Sequence, residues 1–447
     1  MSSGQLWVSI PALMFVAAAG CGGGSSGSGS SGGGPATVNF TFSPATPTVV
    51  AAQIGSGAFT TETVSSNGLT LSLPSGTTTF TVTYVCTPPA VTVGGQQMIA
   101  PYESVVEAST ADGTSFTLPC PSNIFGNGLG LSGSTGQTGS LAVNVNASGV
   151  PSATSVSAIA ENGNSASAWG ATMVNASGSF AAPVGSDRVE VFATASSSNL
   201  MGTVVAARAF ANQAVPGSLN GGAAVVLGTA DETTPQPITF QNVPTGFLPG
   251  ETYVSFNMGP VNYALGGGTT QYDALPATAL ESGDYYTLNA AAIRALPSSG
   301  GPAFPQFAAV AVTANSTSGG PMIFTLPAPW IYAGPTPATW ATFDFSGYTG
   351  FAGQSGVYDT GNVSWTTNGG LGNYSVSVSA SANYLHGATS LTVPDLSGLQ
   401  GFLSPPGSGT QVTWTAQIFQ NSNGFMQPAQ PNSTVPSVLN SGGYNEP

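Results

Sequence analysis

From residue 35 onward, apolar side chains recur at every second position in short runs, and clusters of Gly, Pro, Asn and Ser separate the runs. Tyr374, Val376, Val378 and Ala380 alternate with serines. Val412, Trp414, Ala416 and Ile418 alternate with Thr and Gln. Successive side chains of a strand point to opposite faces, so a period of two predicts half-buried strands. Turn clusters such as Asn368-Gly369-Gly370 and Pro405-Pro406-Gly407-Ser408-Gly409 end the runs. The best helical candidate is Tyr286 to Leu296, which Pro297 would close. The pattern predicts an all-β chain.

The strands repeat. Openings of one kind recur at Val38–Phe42, Leu141–Val145, Ile238–Phe240 and Trp340–Phe345, spaced by about 100 residues. Pro74-Ser75-Gly76 precedes the strand Phe80–Cys86, and Pro183-Val184-Gly185 precedes Val189–Ala195 at the same offsets. Phe116-Thr117-Leu118-Pro119-Cys120-Pro121 has a counterpart in Phe324-Thr325-Leu326-Pro327-Ala328-Pro329. Short strands at this spacing predict tandem β-sandwiches. The expected units are 35–127, 128–233, 234–334 and 335–427, followed by a loose tail at 428–447 that lacks periodicity. These units resemble the immunoglobulin-like and carboxypeptidase-regulatory-like sandwiches of bacterial surface proteins. The resemblance implies spacers or binding modules and supplies no catalytic residues.

The N-terminus has a different character. Leu6 to Ala19 is mostly apolar and about as long as a signal-peptide core, too short for a membrane span. It ends in Ala18-Ala19-Gly20-Cys21, and a Gly/Ser run follows to Gly34. This resembles the lipobox of bacterial lipoproteins. The resemblance implies a signal peptide at 1–20, acylation of Cys21 and a flexible tether at 21–34 that holds the body off a membrane. The expected location is a bacterial outer membrane or cell surface. An ordinary signal peptide with an incidental cysteine is the alternative.

With Cys21 acylated, Cys86 and Cys120 remain as a pair. Each lies in phase with the apolar residues of its strand: Phe80, Val82 and Tyr84 for Cys86, Phe116 and Leu118 for Cys120. A disulfide between two sheets is expected; free thiols or a metal site are the alternative, with no His nearby in sequence.

Charge narrows the partners. Only 4% of the 447 residues are charged, against about a quarter in an ordinary domain, although 41% are hydrophobic. The only cations besides the single His386 are Arg188, Arg208 and Arg294, and the formal charge is −14. Phosphate backbones and anionic bilayers need clustered Lys and Arg, so neither nucleic acid nor a basic-patch membrane contact is expected. With few groups to titrate, the fold is expected to tolerate acid.

Candidate chemistry is sparse, and no catalytic, metal or cofactor residues are assigned. His386 reads as a turn residue. Gly23-Gly24-Ser25-Ser26-Gly27 matches a nucleophile-elbow pattern without its strand and helix. Gly126–Gly130 resembles a phosphate loop but has no Lys. Val357-Tyr358-Asp359-Thr360-Gly361 resembles an aspartic-protease motif, yet it occurs once and reads as a turn. Glu103 with Glu107, and Glu281 with Asp284, are possible glycosidase pairs that read as loop acids. Glu281, Asp284 and Asp273 could offer oxygens to calcium. Trp330, Tyr332, Tyr348 and Phe351 cluster near the junction of units three and four. They read either as an inter-unit seam or as a surface for a glycan or a protein. The leading expectation is a non-catalytic surface protein with a structural, adhesive or spacer role; a glycan-binding surface protein is second, and a secreted hydrolase third.

Overall fold

The computed structural model describes residues 35–446 apart from 94–95, 121–136, 162–167, 196–202, 251, 260, 298–305, 337–339, 367–371 and 428–429. The signal segment, Cys21, the tether and Gly126–Gly130 lie outside the described residues. Among those described, no helix is long and apolar enough to cross a membrane.

The body is all-β and built from sandwiches. Unit one contains β1 (Ala36–Pro44), β2 (Val49–Ile54), β3 (Thr60–Glu62), β4 (Gly68–Leu73), β5 (Thr79–Cys86), β6 (Tyr102–Ser109) and β7 (Ser115–Cys120). Unit two contains β8 (Thr138–Asn146), β9 (Ser155–Ala160), β10 (Ala168–Ala171), β11 (Asn175–Pro183), β12 (Gly185–Ala195) and β13 (Thr203–Val215). Unit three contains β14 (Thr234–Gln241), β15 (Thr252–Met258), β16 (Val261–Gly268), β17 (Gln271–Ala274), β18 (Tyr285–Leu296), β19 (Gln306–Ser316) and β20 (Met322–Thr325). Unit four contains β21 (Thr342–Asp344), β22 (Val357–Thr366), β23 (Asn373–Ser381), the one-turn helix α1 (Ala382–Leu385), β24 (Ser390–Thr392), β25 (Gln411–Gln420) and β26 (Thr434–Asn445).

Three of the four repeated openings are central strands of short sheets; the fourth, β21, pairs with β24 alone among the described residues. β1 pairs antiparallel with β4 and parallel with β7. β14 does the same with β17 and β20. β8 pairs antiparallel with β11 and parallel with the short strand Gly217–Ser218. Each unit also has a four-stranded sheet: β3-β2-β5-β6, β10-β9-β12-β13, β16-β15-β18-β19 and β23-β22-β25-β26.

Three of these sheets are joined edge to edge. β19 pairs antiparallel with β26, and β23 pairs parallel with β6, so unit four sits between units three and one. With the short strand Leu248–Pro249 beside β18, the joined sheet has 13 strands. The register of the second joint sets which way each core faces. Val378 lies level with Val105, and both point to the side where Phe343, Trp340 and Leu391 cover unit four. Val106, the next residue, points the other way into the core of unit one with Val82, Phe80 and Phe40. The cores of units three and four are one continuous cluster, and that of unit one lies on the opposite face.

Two elements differ from the sequence expectation. Tyr285–Leu296 is a strand, not a helix. Tyr286, Leu288, Ala290 and Ala292 are buried on one face while β15 and β19 supply hydrogen bonds on both sides, and that pairing overrides the helical preference of the alanines. Residues 434–445 are not a tail but strand β26, inserted between β19 and β25 with Val438 and Leu439 buried.

Cys86 and Cys120 form a disulfide that links β5 of the joined sheet to β7 of the short sheet, across 34 residues. Replacing both with alanine is expected to cost about 3–4 kcal/mol in the chain-entropy picture. Denaturant unfolding checks this, as a lower midpoint at an unchanged slope.

Candidate functional site

The aromatic residues singled out by sequence do come together. Trp330 stacks on Tyr332 at 4.9 Å between ring centres and on Phe345 at 5.4 Å. Tyr348 meets Phe351 edge-on at 5.1 Å and Trp330 at 6.5 Å. Trp330 and Phe351 are buried; Tyr332 and Tyr348 keep part of their surface in solvent. The cluster is anchored from β26. The Asn440 amide nitrogen donates to the Trp330 carbonyl, and its oxygen accepts from the Tyr332 backbone, each at 3.2 Å. Most of the aromatic area is thus spent on packing over β25, where Trp414 meets Tyr332 edge-on.

The acids read as loop residues behave otherwise. Glu103 and Glu107 lie within β6, and Asp359 lies within β22. All three project from the face of the joined sheet that unit four covers, at the joint between units one and four. Their phase shows it: Glu103 lies level with Val376, and Glu107 and Asp359 both lie level with Ala380. Glu103 is 1% exposed, and its Oε2 accepts from the Leu403 backbone at 2.9 Å. Burial pushes its carboxyl up to about 7, against the pull of that hydrogen bond. Burial also raises Glu107 and Asp359 to about 7. The Asp-Thr-Gly stretch is therefore a strand rather than a turn. Its glycine is explained by packing, because a Cβ on Gly361 would lie 2.3 Å from the Phe343 ring.

The three carboxyls are spread along this face. Glu103 and Glu107 are four residues apart on one strand, about 13 Å. Asp359 and Glu107 flank Ala380 on the same face, two strands and about 10 Å apart, and α1 packs near all three strands of that row. Leu385 lines a cavity of about 120 Å³ beside Asp359, whereas the Tyr384 hydroxyl is 3.2 Å from that of Thr81, next to Glu107. His386 ends α1 in a left-handed conformation, exposed to solvent.

The Glu281–Asp284 pair belongs to a different joint, between units two and three. Arg188 donates from Nη1 and Nη2 to the two carboxylate oxygens of Asp284 at 2.8 and 2.9 Å, and from Nη2 to Glu190 at 3.2 Å. Burial pushes the Glu190 carboxyl well above the carboxylate range despite Arg188. Asp284 is thus committed to an ion pair, while Asp273 sits in β17. The Phe192 ring of unit two stacks on Tyr263 of unit three at 4.1 Å, completing that contact. Sequence reasoning missed both joints. The only signal in the chain was phase: Glu103 and Glu107 share the parity of Val105, and Arg188 that of Glu190 and Phe192.

No protein-family model matches the chain, and no curated protein matches it. Among solved structures, the chain is similar at 12% identity to one described as the Bacillus anthracis TIE protein. That match covers 57% of this chain and 45% of the other, with a TM-score of 0.14. It is similar at 10% identity to the pilus adhesin SpaC from Lactobacillus rhamnosus GG in an open conformation, over 78% of this chain and 43% of that one, with a TM-score of 0.12. The chain spans less than half the length of either. Scores this low leave the functional reading to the chain's own residues.

Proposed function

We propose that this is an exported, lipid-anchored surface protein whose role is structural or adhesive, not catalytic. The observation that carries the reading is the use made of the ionisable groups. Glu103 is sealed under packed side chains at a joint between units, and Glu107 and Asp359 are half-buried strand residues beside α1. Acid–base chemistry needs such groups aimed together at a substrate. The Gly/Ser run before residue 35 suits a tether, because such a chain is a flexible coil. The wide joined sheet would be the object it displays.

Cell fractionation tests the anchor. The wild-type chain is expected in the membrane fraction with an acylated N-terminal Cys21 by mass spectrometry. Cys21→Ser is expected to shift it to a soluble fraction with the body intact. A wild-type chain that is soluble and unacylated contradicts the reading. Turnover of any peptide or polysaccharide by the purified protein contradicts its non-catalytic part.

A glycan-binding role is the second reading, favoured by the partly exposed rings of Tyr332 and Tyr348 at the rim of the Trp330 cluster. Tyr348→Ala tests it more cleanly than Trp330→Ala, because Trp330 is a core residue. Loss of signal on a glycan array with unchanged melting supports it.

A further inference from the structure

Asp359 is a strand carboxyl without a counter-ion. It shares a face of β22 with Val357, Gly361 and Val363. Burial raises its carboxyl to about 7, and no hydrogen bond or nearby cation among the described residues offsets that rise. No lysine or arginine of this chain reaches it. The sequence contains no lysine. Arg188 and Arg208 are paired with Asp284 and Asp231, and Arg294 lies beside Gly246 in unit three.

The cavity of about 120 Å³ beside Asp359 has apolar walls from Val357, Ala382, Leu385 and Ala388. Tyr358 also lines it, but its ring stacks on Phe419 at 4.7 Å, on the other face of β22. Asp359 is therefore the one acid at this niche. α1 and the turn after it form the outer wall. Ser381 caps α1 by accepting from the Tyr384 backbone at 3.0 Å. His386 and Gly387, with φ of 48° and 90°, turn the chain back, and the Ala388 N–H donates to the Leu385 carbonyl at 2.8 Å. The Tyr384 hydroxyl is tied to Thr81 of unit one, so both units hold the wall in place. Ala382, Gly387 and Ala388 are exposed, which leaves the niche open to solvent.

A carboxylate set among apolar walls suits an alkylammonium ion. Its methylenes cover the walls, and its charged head makes a charge-assisted hydrogen bond to the acid. The volume admits a few water-sized groups in a row, the size of one unbranched side chain. A net charge of −14 draws basic partners toward the surface. We propose that the niche beside Asp359 receives a primary alkylammonium group, the side chain of a lysine on a partner protein. This deepens the adhesive reading, and rests on it, by naming the partner's chemistry.

Saturation-transfer difference NMR on the full chain at pH 8 tests the niche, because amines of this class ordinarily stay protonated there. The wild type is expected to bind n-butylammonium and Nα-acetyl-lysine N-methylamide with dissociation constants of about 1 mM, and neutral 1-butanol at least about tenfold more weakly. Asp359→Asn is expected to weaken amine binding by at least about tenfold. Ala388→Phe, which fills the niche and keeps the carboxyl, is expected to do the same, and it keeps the test valid if the first variant misfolds by circular dichroism. Glu62→Gln, which removes one negative charge from β3 at an end of the joined sheet, is expected to change nothing. A wild-type chain that binds neither amine at about 10 mM overturns the proposal. So does binding that 1-butanol matches, that withstands both niche variants, or that Glu62→Gln weakens equally. Binding of butylammonium without the lysine derivative overturns the assignment to a protein side chain. Each of these failures leaves the anchored reading standing, since the fractionation of Cys21→Ser tests that separately.

Discussion

Deleting residues 434–447 is expected to abolish the cooperative unfolding transition of units three and four, not to trim a loose end. β26 is hydrogen-bonded to β19 on one side and β25 on the other. Its loss leaves two long strand edges facing an empty slot, and it removes the one strand pairing that, among the described residues, joins unit three to unit four within the sheet. Burying Val438 and Leu439 contributes about 3–6 kcal/mol on its own, comparable with the whole stability of many domains. Asn440 is lost as well, and with it the bonds that fix Trp330 and Tyr332. Scanning calorimetry and size-exclusion chromatography check the outcome: aggregated protein or no transition is expected. A variant that melts like the wild type would show that the segment is dispensable.

The second large effect is a dependence on pH whose direction is unusual for a folded protein. Glu103, Glu107 and Asp359 titrate near 7 when folded and near 4 when unfolded. Below about pH 4 both states hold the proton, and these groups do not affect the balance. As pH rises from about 4 to 7, the unfolded chain releases its protons first, so stability falls. Above 7 the full penalty is present, roughly 3 kcal/mol for Glu103, which is sealed from solvent. Asp344 and Asp395 are held below the usual range by hydrogen bonds from Ser346 and Ser397, but both are exposed side chains and act only below about pH 4. The melting temperature is therefore expected to be several degrees higher at pH 5 than at pH 8. The variant E103Q/E107Q/D359N is expected to flatten the profile between these values. A wild-type melting temperature that falls on acidification to pH 5 would contradict the placement of the three acids.

Much of this architecture was legible in the chain. The openings at Val38, Leu141 and Ile238 fall on the central strands of the short sheets, whereas the strand after Trp340 pairs with β24 alone among the described residues. The phase of Cys86 and Cys120 placed them on facing surfaces. What the chain hid was the joining of units, since an edge-to-edge hydrogen bond uses backbone groups that every residue carries. β26 shows the difficulty: Val435-Pro436-Ser437-Val438-Leu439-Asn440-Ser441-Gly442-Gly443 reads as irregular because its neighbours are other strands and not solvent. Glu103, Glu107 and Asp359 misled for a related reason. A carboxyl in a polar stretch suggests a wet loop, and only the pairing of β6 and β22 with β23 puts these acids on the face that unit four covers.

The acid tolerance expected from a low count of ionisable groups becomes a sharper statement here. Few groups titrate, but at least three of them sit at a joint with no cation against them. That makes neutral and alkaline solution the harsher condition for the fold.

Hydrogen exchange by mass spectrometry on the intact chain addresses the joined sheet most directly. If units three, four and one share it, the amides of Thr434–Asn445 and Asn373–Ser381 exchange as slowly as those of Phe307–Ala314, because each strand is bonded on both sides. Rapid exchange of Thr434–Asn445, or of one edge of Asn373–Ser381, would mean that the units hang separately on the chain.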